Sequence, residues 1–174
     1  MKYIPIFLIF IFLACTQENS QQGSKKRHPS HIYTYSDIDH SEFKYYESDY
    51  VPVYSDIYHR DGTRRFSLTT TISIRNTSLV DSAYLLKATY YDSYGEKLTE
   101  YVDSTILLSP LESIEFVVEE VEDIGGAGAN FVVNWGAQRY SNQLLIQSVM
   151  IGSSGQQGIS FLSESKIIDS IKVQ

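Results

Sequence analysis

A run of glycines in the C-terminal half of the sequence has the composition of an anion-binding loop. Gly125, Gly126 and Gly128 are followed closely by Asn130. Glycine and asparagine tolerate positive φ, so that consecutive amides can face one concavity and hold a phosphate or carboxylate. The run lacks the Gly-Lys-Ser/Thr ending of a P-loop, and a strand-like segment follows it instead of a helix. A tight connection between two strands is the simpler interpretation of this run.

A second glycine-rich loop spans residues 152–158 and contains Gly155, Gln156 and Gln157. If this loop and the first one lie at the same end of the fold, they form one binding rim, as antibody loops do. The sequence alone does not show that they do. The candidate ligand-binding set is therefore Gly125, Gly126, Gly128, Asn130, Gly155, Gln156 and Gln157.

Carboxylates are the other groups that could perform chemistry. Glu119 and Glu120 begin an acidic cluster that continues to Asp123, but neighbours on a strand point to opposite faces. A solvated strand end that discourages edge pairing is the favoured interpretation. A carboxylate-dependent hydrolase would need side chains from separate strands to converge. The spacing selects none of its candidates, which are Asp56, Asp61, Glu115 and Asp123.

Motifs for metal binding or nucleophilic catalysis are not found in this sequence. His59 is the only histidine beyond residue 40, and its neighbours Arg60 and Asp61 indicate an exposed turn. The remaining histidines, His28, His31 and His40, match no closed metal site. We therefore expect no catalytic residues, no metal and no cofactor.

The N-terminus combines one early positive charge, a short apolar stretch and a single cysteine. Lys2 precedes an apolar stretch at residues 4–14, interrupted only by Pro5. This stretch is too short for a spanning helix, which needs roughly 20 apolar residues, but it fits a secretory signal. Ala14 and Cys15, the only cysteine, resemble a lipobox, in which the cysteine is diacylated. We expect a signal peptide at residues 1–14 and stable membrane anchoring through Cys15.

A polar segment separates this anchor from the rest of the chain. Residues 15–42 are poor in apolar side chains and are expected to form a lipid anchor and flexible linker. Lys25, Lys26 and Arg27 could touch anionic headgroups, although a solvated linker is the simpler interpretation. The chain carries a net charge of −7, which disfavours nucleic acid as a partner.

The body of the sequence predicts β-strands, because apolar residues recur with a period of two. Ile114, Phe116 and Val118 alternate with other residues in one segment, and Phe131 and Trp135 belong to a second. Asp61-Gly62 is a strong hairpin signal. We expect a single all-β domain over residues 43–174, an antiparallel immunoglobulin-like β-sandwich of about seven to eight strands. The expected strands cover residues 51–58, 64–76, 83–93, 96–103, 113–121, 129–137, 143–152 and 158–163.

Seven short segments of the body carry a further resemblance: residues 51–55, 73–76, 90–92, 115–118, 125–131, 149–152 and 155–161. Together they resemble an uncharacterised bacterial family of short exported or lipid-anchored proteins with a domain of unknown function. The resemblance implies an exported single domain and implies no activity.

We therefore expect a non-catalytic binding module in the bacterial cell envelope, tethered to a membrane, whose partner is a protein, glycan or small ligand. A structural protein that pairs through edge strands is the alternative. A carboxylate hydrolase is the least favoured interpretation.

Overall fold

Alternating inward and outward side chains build most of this protein from antiparallel strands. The computed structural model describes residues 33–119, 125–140, 143–154 and 156–173. Thirteen strands and one short 3-10 helix, His40–Glu42, occur in this part of the chain.

The larger sheet contains seven strands. Its order is β1 (Thr34–Tyr35), β8 (Ile106–Leu108), β6 (Ala83–Tyr91), β10 (Asn130–Ala137), β2 (Tyr45–Pro52) and β13 (Lys166–Lys172), and β7 (Lys97–Glu100) also pairs with β6. All of these pairs are antiparallel. A bulge between Asn134 and Trp135 shifts the register of β10 against β6.

The smaller sheet contains four strands in the order β12 (Gln157–Glu164), β11 (Leu144–Ser154), β5 (Thr69–Asn76) and β9 (Ser113–Val118). A separate hairpin is formed by β3 (Asp56–Tyr58) and β4 (Arg65–Ser67). After β12 the chain changes sheet through Ser165 and continues as β13, the edge strand beside β2.

The inward faces of the sheets form one apolar core. Trp135, Phe131, Leu85, Ile72 and Ile114 are almost completely buried within it. The all-β antiparallel sandwich predicted from the sequence is confirmed. In the described part of the chain, no helix is long and apolar enough to cross a membrane.

The strands differ in detail from those predicted. The predicted strand 51–58 is broken at residues 53–55, and β2 begins earlier, at Tyr45. Residues 33–42, expected to belong to the linker, lie against the sandwich, since Thr34 pairs with Leu107 and His40 contacts Thr105. The expected signal peptide, Cys15, Glu120, Asp123 and Gly155 lie outside the described residues.

Candidate functional site

Both glycine-rich loops lie at the same end of the sandwich. Asn130 begins β10 and is paired with Pro52 and Tyr91, where two neighbouring strands end. Ser55 connects this corner to the smaller sheet: its amide donates to the Gly126 carbonyl at 3.3 Å, and its carbonyl accepts from Leu68 at 2.8 Å. Leu68 directly precedes β5, whose first residue is paired with Ile151 near the end of β11. The two loops are therefore parts of one rim.

The first loop uses its glycines for close packing. The amides of Gly126 and Gly128 donate to the hydroxyls of Ser55 at 2.7 Å and Ser93 at 2.8 Å. A Cβ atom on Gly125 would lie 1.8 Å from the Tyr90 hydroxyl oxygen, and Gly126 has a φ of +81°. Two of the amides proposed for the anion nest are thus already hydrogen-bonded, and an anion would have to displace these hydroxyls.

A cavity of about 360 Å³ opens beside the second loop. Its walls come from the β3–β4 hairpin and the start of β12: Ile57, His59, Arg60, Phe66, Gln157, Gly158 and Ile159. Gln157 is thus the predicted residue that the structure places in a cavity, and Gln156 is exposed immediately before it. Asn130 lies at the other sheet, on the same rim.

The hairpin that forms one wall carries three of the chain's six arginines, Arg60, Arg64 and Arg65. Arg65 Nη1 lies 2.7 Å from the buried carboxylate of Asp56, and Arg64 lies 3.6 Å from Asp61. Hydrogen bonds from Thr63 hold the pKa of the Asp61 carboxyl below its usual value. Asp56 Oδ1 is buried and has no hydrogen-bond partner in the described part of the chain.

Arg60 differs from Arg64 and Arg65, the other two arginines of the hairpin, in its ion pairing and in its backbone conformation. Among the described residues, no hydrogen bond or ion pair involves its side chain. Its φ is +68°, in the left-handed region that a bulky side chain rarely adopts. The free guanidinium lines the cavity, and the ring of His59 lies 6.2 Å from that of Phe66 between ring centres.

A second cluster lies inside the sandwich, where β2 places two carboxylates on its inward face. Glu47 is 7% exposed and Asp49 is 3% exposed. Both accept hydrogen bonds from Trp135 Nε1, at 3.2 and 3.1 Å. The Tyr45 hydroxyl donates to Glu47, and the Ser165 hydroxyl donates to Asp49 at 2.8 Å. We call Glu47 and Asp49 the buried acidic pair.

Burial raises the pKa of the Glu47 carboxyl, and the neighbouring Asp49 raises it further, whereas hydrogen bonds from Tyr45 and Trp135 act in the opposite direction. Burial and the hydrogen bond to Glu47 raise the pKa of Tyr45 to about 12. Both carboxylates line a second cavity of about 280 Å³, which Glu164 and Ser165 also border. Two acids in contact, one of them with a raised pKa, can share one proton.

The hydrophobic pattern of the sequence does not predict this pair. The pair could have been found from the spacing of two between the buried residues of β2, which are Tyr45, Glu47, Asp49 and Val51. Two of these four inward-facing residues are acidic. The four carboxylates considered for a hydrolase are placed differently: Asp56 is paired with Arg65, Asp61 lies in the hairpin turn, Glu115 is on β9, and Asp123 is not described.

A family model matches residues 46–168, from the second residue of β2 to β13. The family is described as "Protein of unknown function (DUF3124)". This chain belongs to that family. The predicted membership in an uncharacterised family is therefore confirmed, and the matched range contains the β3–β4 hairpin, both glycine-rich loops and the buried acidic pair.

Among the curated proteins, no match is found. The chain is similar to a solved structure described as "Crystal Structure of Thermotoga maritima 1070", with 11% sequence identity and a TM-score of 0.41. The match covers 69% of this chain and 92% of that chain.

Proposed function

We propose that this DUF3124 protein is a bacterial envelope lipoprotein whose sandwich is a non-catalytic binding module. In this proposal the acylated Cys15 holds the chain on a membrane, and the rim at the loop end of the sandwich binds a ligand. The apolar stretch before Ala14 and Cys15 supports the anchor.

The observation that carries the binding role is the 360 Å³ cavity between the β3–β4 hairpin and β12. It combines apolar walls with polar groups that converge on the same space, which is the usual make-up of a small-ligand site. The site is formed from segments about 100 residues apart in sequence, the β3–β4 hairpin and strand β12 of the smaller sheet. Loops positioned by a rigid scaffold commonly carry binding sites.

The binding role is tested by a thermal-shift screen of the purified chain with oligosaccharides, peptidoglycan fragments, nucleotides and phosphates. A ligand at about 100 times its dissociation constant stabilises by about 2.7 kcal/mol, which raises the melting temperature by several degrees. Amide NMR shifts then locate each hit. Shifts confined to residues 57–66 and 157–159 support the proposal, and hits that all map elsewhere contradict it.

The anchor is tested separately in cells. Metabolic labelling with a radioactive fatty acid is expected to mark the wild-type protein and to be lost in Cys15→Ser, which should also leave the membrane fraction. An unlabelled wild-type chain in the soluble fraction would refute the lipoprotein assignment without affecting the binding site.

A second candidate role is assembly through the edge strand β13. All seven of its residues are exposed, and Ile167, Ile168 and Ile171 are each 55% exposed. Lys166, Asp169 and Lys172 lie on the same strand, and such charges discourage indiscriminate edge pairing. Light scattering across a hundredfold range of concentration distinguishes the roles, because an assembly protein should form larger species at the upper end.

A further inference from the structure

Charge distribution around the loop-end cavity indicates what kind of ligand it accepts. The protein as a whole is acidic, with a net charge of −7, yet half of its arginines lie in one hairpin. Arg64 and Arg65 are each paired with a carboxylate of the same hairpin, on Asp61 and Asp56. Arg60 therefore presents the unneutralised positive charge of this hairpin, and it does so at the cavity wall.

The backbone at Arg60 strengthens this argument. A non-glycine residue with positive φ carries a conformational cost, and such residues are concentrated at functional sites. Asparagine and glycine adopt this conformation more easily, so either would suit the fold better at this position. The arginine side chain here contributes no intramolecular hydrogen bond or ion pair with the described residues that could offset the cost.

Apolar side chains also line the cavity. Phe66 offers an aromatic ring, and Ile159, which is 42% exposed, belongs to the same lining. A volume of about 360 Å³ lies near the lower end of the range for small-molecule sites. The space therefore fits one ring with one charged substituent better than an extended polymer.

We infer that the cavity binds a ligand that carries an anionic group, a phosphate or a carboxylate, on a ring. Arg60 holds the anion, the His59 imidazole provides a further donor, and Phe66 with Ile159 contacts the ring. This inference rests on the proposed binding function and adds the chemical class of the ligand.

Four small compounds separate the contributions, each titrated into the full-length chain in mild detergent and followed by amide NMR. Phenyl phosphate and benzoate carry an anion on a ring, benzyl alcohol carries the ring alone, and inorganic phosphate carries the anion alone. Phenyl phosphate, benzoate or both are expected to bind at least about tenfold more tightly than benzyl alcohol or inorganic phosphate, and which of the two binds identifies the anion. Their affinity should fall as salt is added.

Arg60→Asn is the decisive variant, because asparagine tolerates the left-handed backbone and removes the guanidinium. It should leave the melting temperature unchanged or raise it, and should weaken binding of the ring anions at least about tenfold without changing benzyl alcohol binding. Arg75→Gln is the matched control, since Arg75 lies at the far end of β5 from the rim and should bind like wild type.

The outcomes are separable. If benzyl alcohol binds as tightly as both ring anions, or if Arg60→Asn binds the anions like wild type, the inferred ligand class is wrong and the cavity remains a binding site. If none of the four compounds shifts the amides of residues 57–66 or 157–159, the inference fails together with the cavity's proposed role.

Discussion

Replacing Glu47 with glutamine should stabilise this protein at neutral and alkaline pH. Glu47 and Asp49 are both buried, and one oxygen of each accepts a hydrogen bond from the same Trp135 Nε1. These oxygens are therefore no more than about 6.3 Å apart, given the two bond lengths of 3.2 and 3.1 Å. When both groups are ionised, two negative charges face each other across this distance in the sandwich interior.

The size of the effect follows from that distance. With an effective dielectric constant of about 20, two like charges at this upper limit of about 6 Å repel by about 3 kcal/mol, and closer charges repel more strongly. Glutamine keeps an oxygen for Tyr45 or Trp135 and gains an amide that can donate to Asp49. Loss of one acceptor costs about 1 kcal/mol. We expect Glu47→Gln to raise the free energy of unfolding by about 1–2 kcal/mol at pH 8.

The pH dependence has a defined sign. The folded state raises the pKa of Glu47 above its ordinary value of 4.5, so the folded protein holds this proton more tightly than the unfolded chain. The contribution of Glu47 to the free energy of unfolding is fully present below about pH 4.5, and it is lost as the pH rises through the raised pKa. The difference between Glu47→Gln and wild type should therefore be small at pH 4 and grow towards pH 8.

Urea unfolding followed by tryptophan fluorescence measures this difference, because Trp135 is the only tryptophan and lies on the buried acidic pair. Glu96→Gln is the matched control, since Glu96 is exposed and its change should be nearly neutral at every pH. A Glu47→Gln protein less stable than wild type at pH 8, or a difference that does not vary with pH, would refute the argument from paired charges.

Three further substitutions test other contacts by the same unfolding assay, or by circular dichroism where tryptophan is removed. Trp135→Phe removes the N–H that donates to both buried carboxylates, and it should lower the free energy of unfolding by about 3 kcal/mol or more at pH 8. A loss smaller than about 1 kcal/mol would mean that this donor is dispensable. The Asn76 side-chain amide donates to three backbone carbonyls at 2.8 to 3.1 Å. Asn76→Asp replaces it with a buried carboxylate and should lower the free energy of unfolding by about 3 kcal/mol. Stability equal to wild type would show that the amide is not needed. Gly125→Ala should cost about 2 kcal/mol or more because its Cβ would meet the Tyr90 hydroxyl, whereas Gly62→Ala, with open space around it, should change stability by less than about 1 kcal/mol.

The strands whose inward residues are apolar could be predicted from the sequence, and those with polar inward residues could not. Ile114, Phe116 and Val118 are all buried, as their alternation indicated. The first half of β2 was missed because its inward residues include Glu47 and Asp49, which a hydrophobic pattern excludes.

Strand β11 shows a related ambiguity, because both of its faces carry apolar residues. The sequence predicts a strand over residues 143–152, in which Leu145 and Ile151 share one face, but those two side chains are exposed. The buried face instead carries Ile146, Ser148 and Met150, where the Ser148 hydroxyl donates to the Pro52 carbonyl at 2.6 Å. Alternation identifies a strand, but it does not identify which face is inward when both are partly apolar.

Some residues of the candidate site could be predicted from the sequence, and others could not. Gln157 was predicted from the sequence, whereas Arg60 and Phe66 were not. An arginine in a hairpin is common in sequences, and it does not stand out until its ion-pair partners are known. The glycine run was noticed for its amides, but Gly125 and Gly126 are needed there because Tyr90 and Ser93 approach them closely.

The all-β class follows from local patterns in the sequence, because strand periodicity and turn chemistry are local properties of the chain. Three features come from the packing of the folded chain: two distant loops share one rim, Arg60 is the unpaired arginine of its hairpin, and Glu47 and Asp49 meet at Trp135. Each of these depends on strand order and register, which bring together residues far apart in the chain, and no local pattern contains that information.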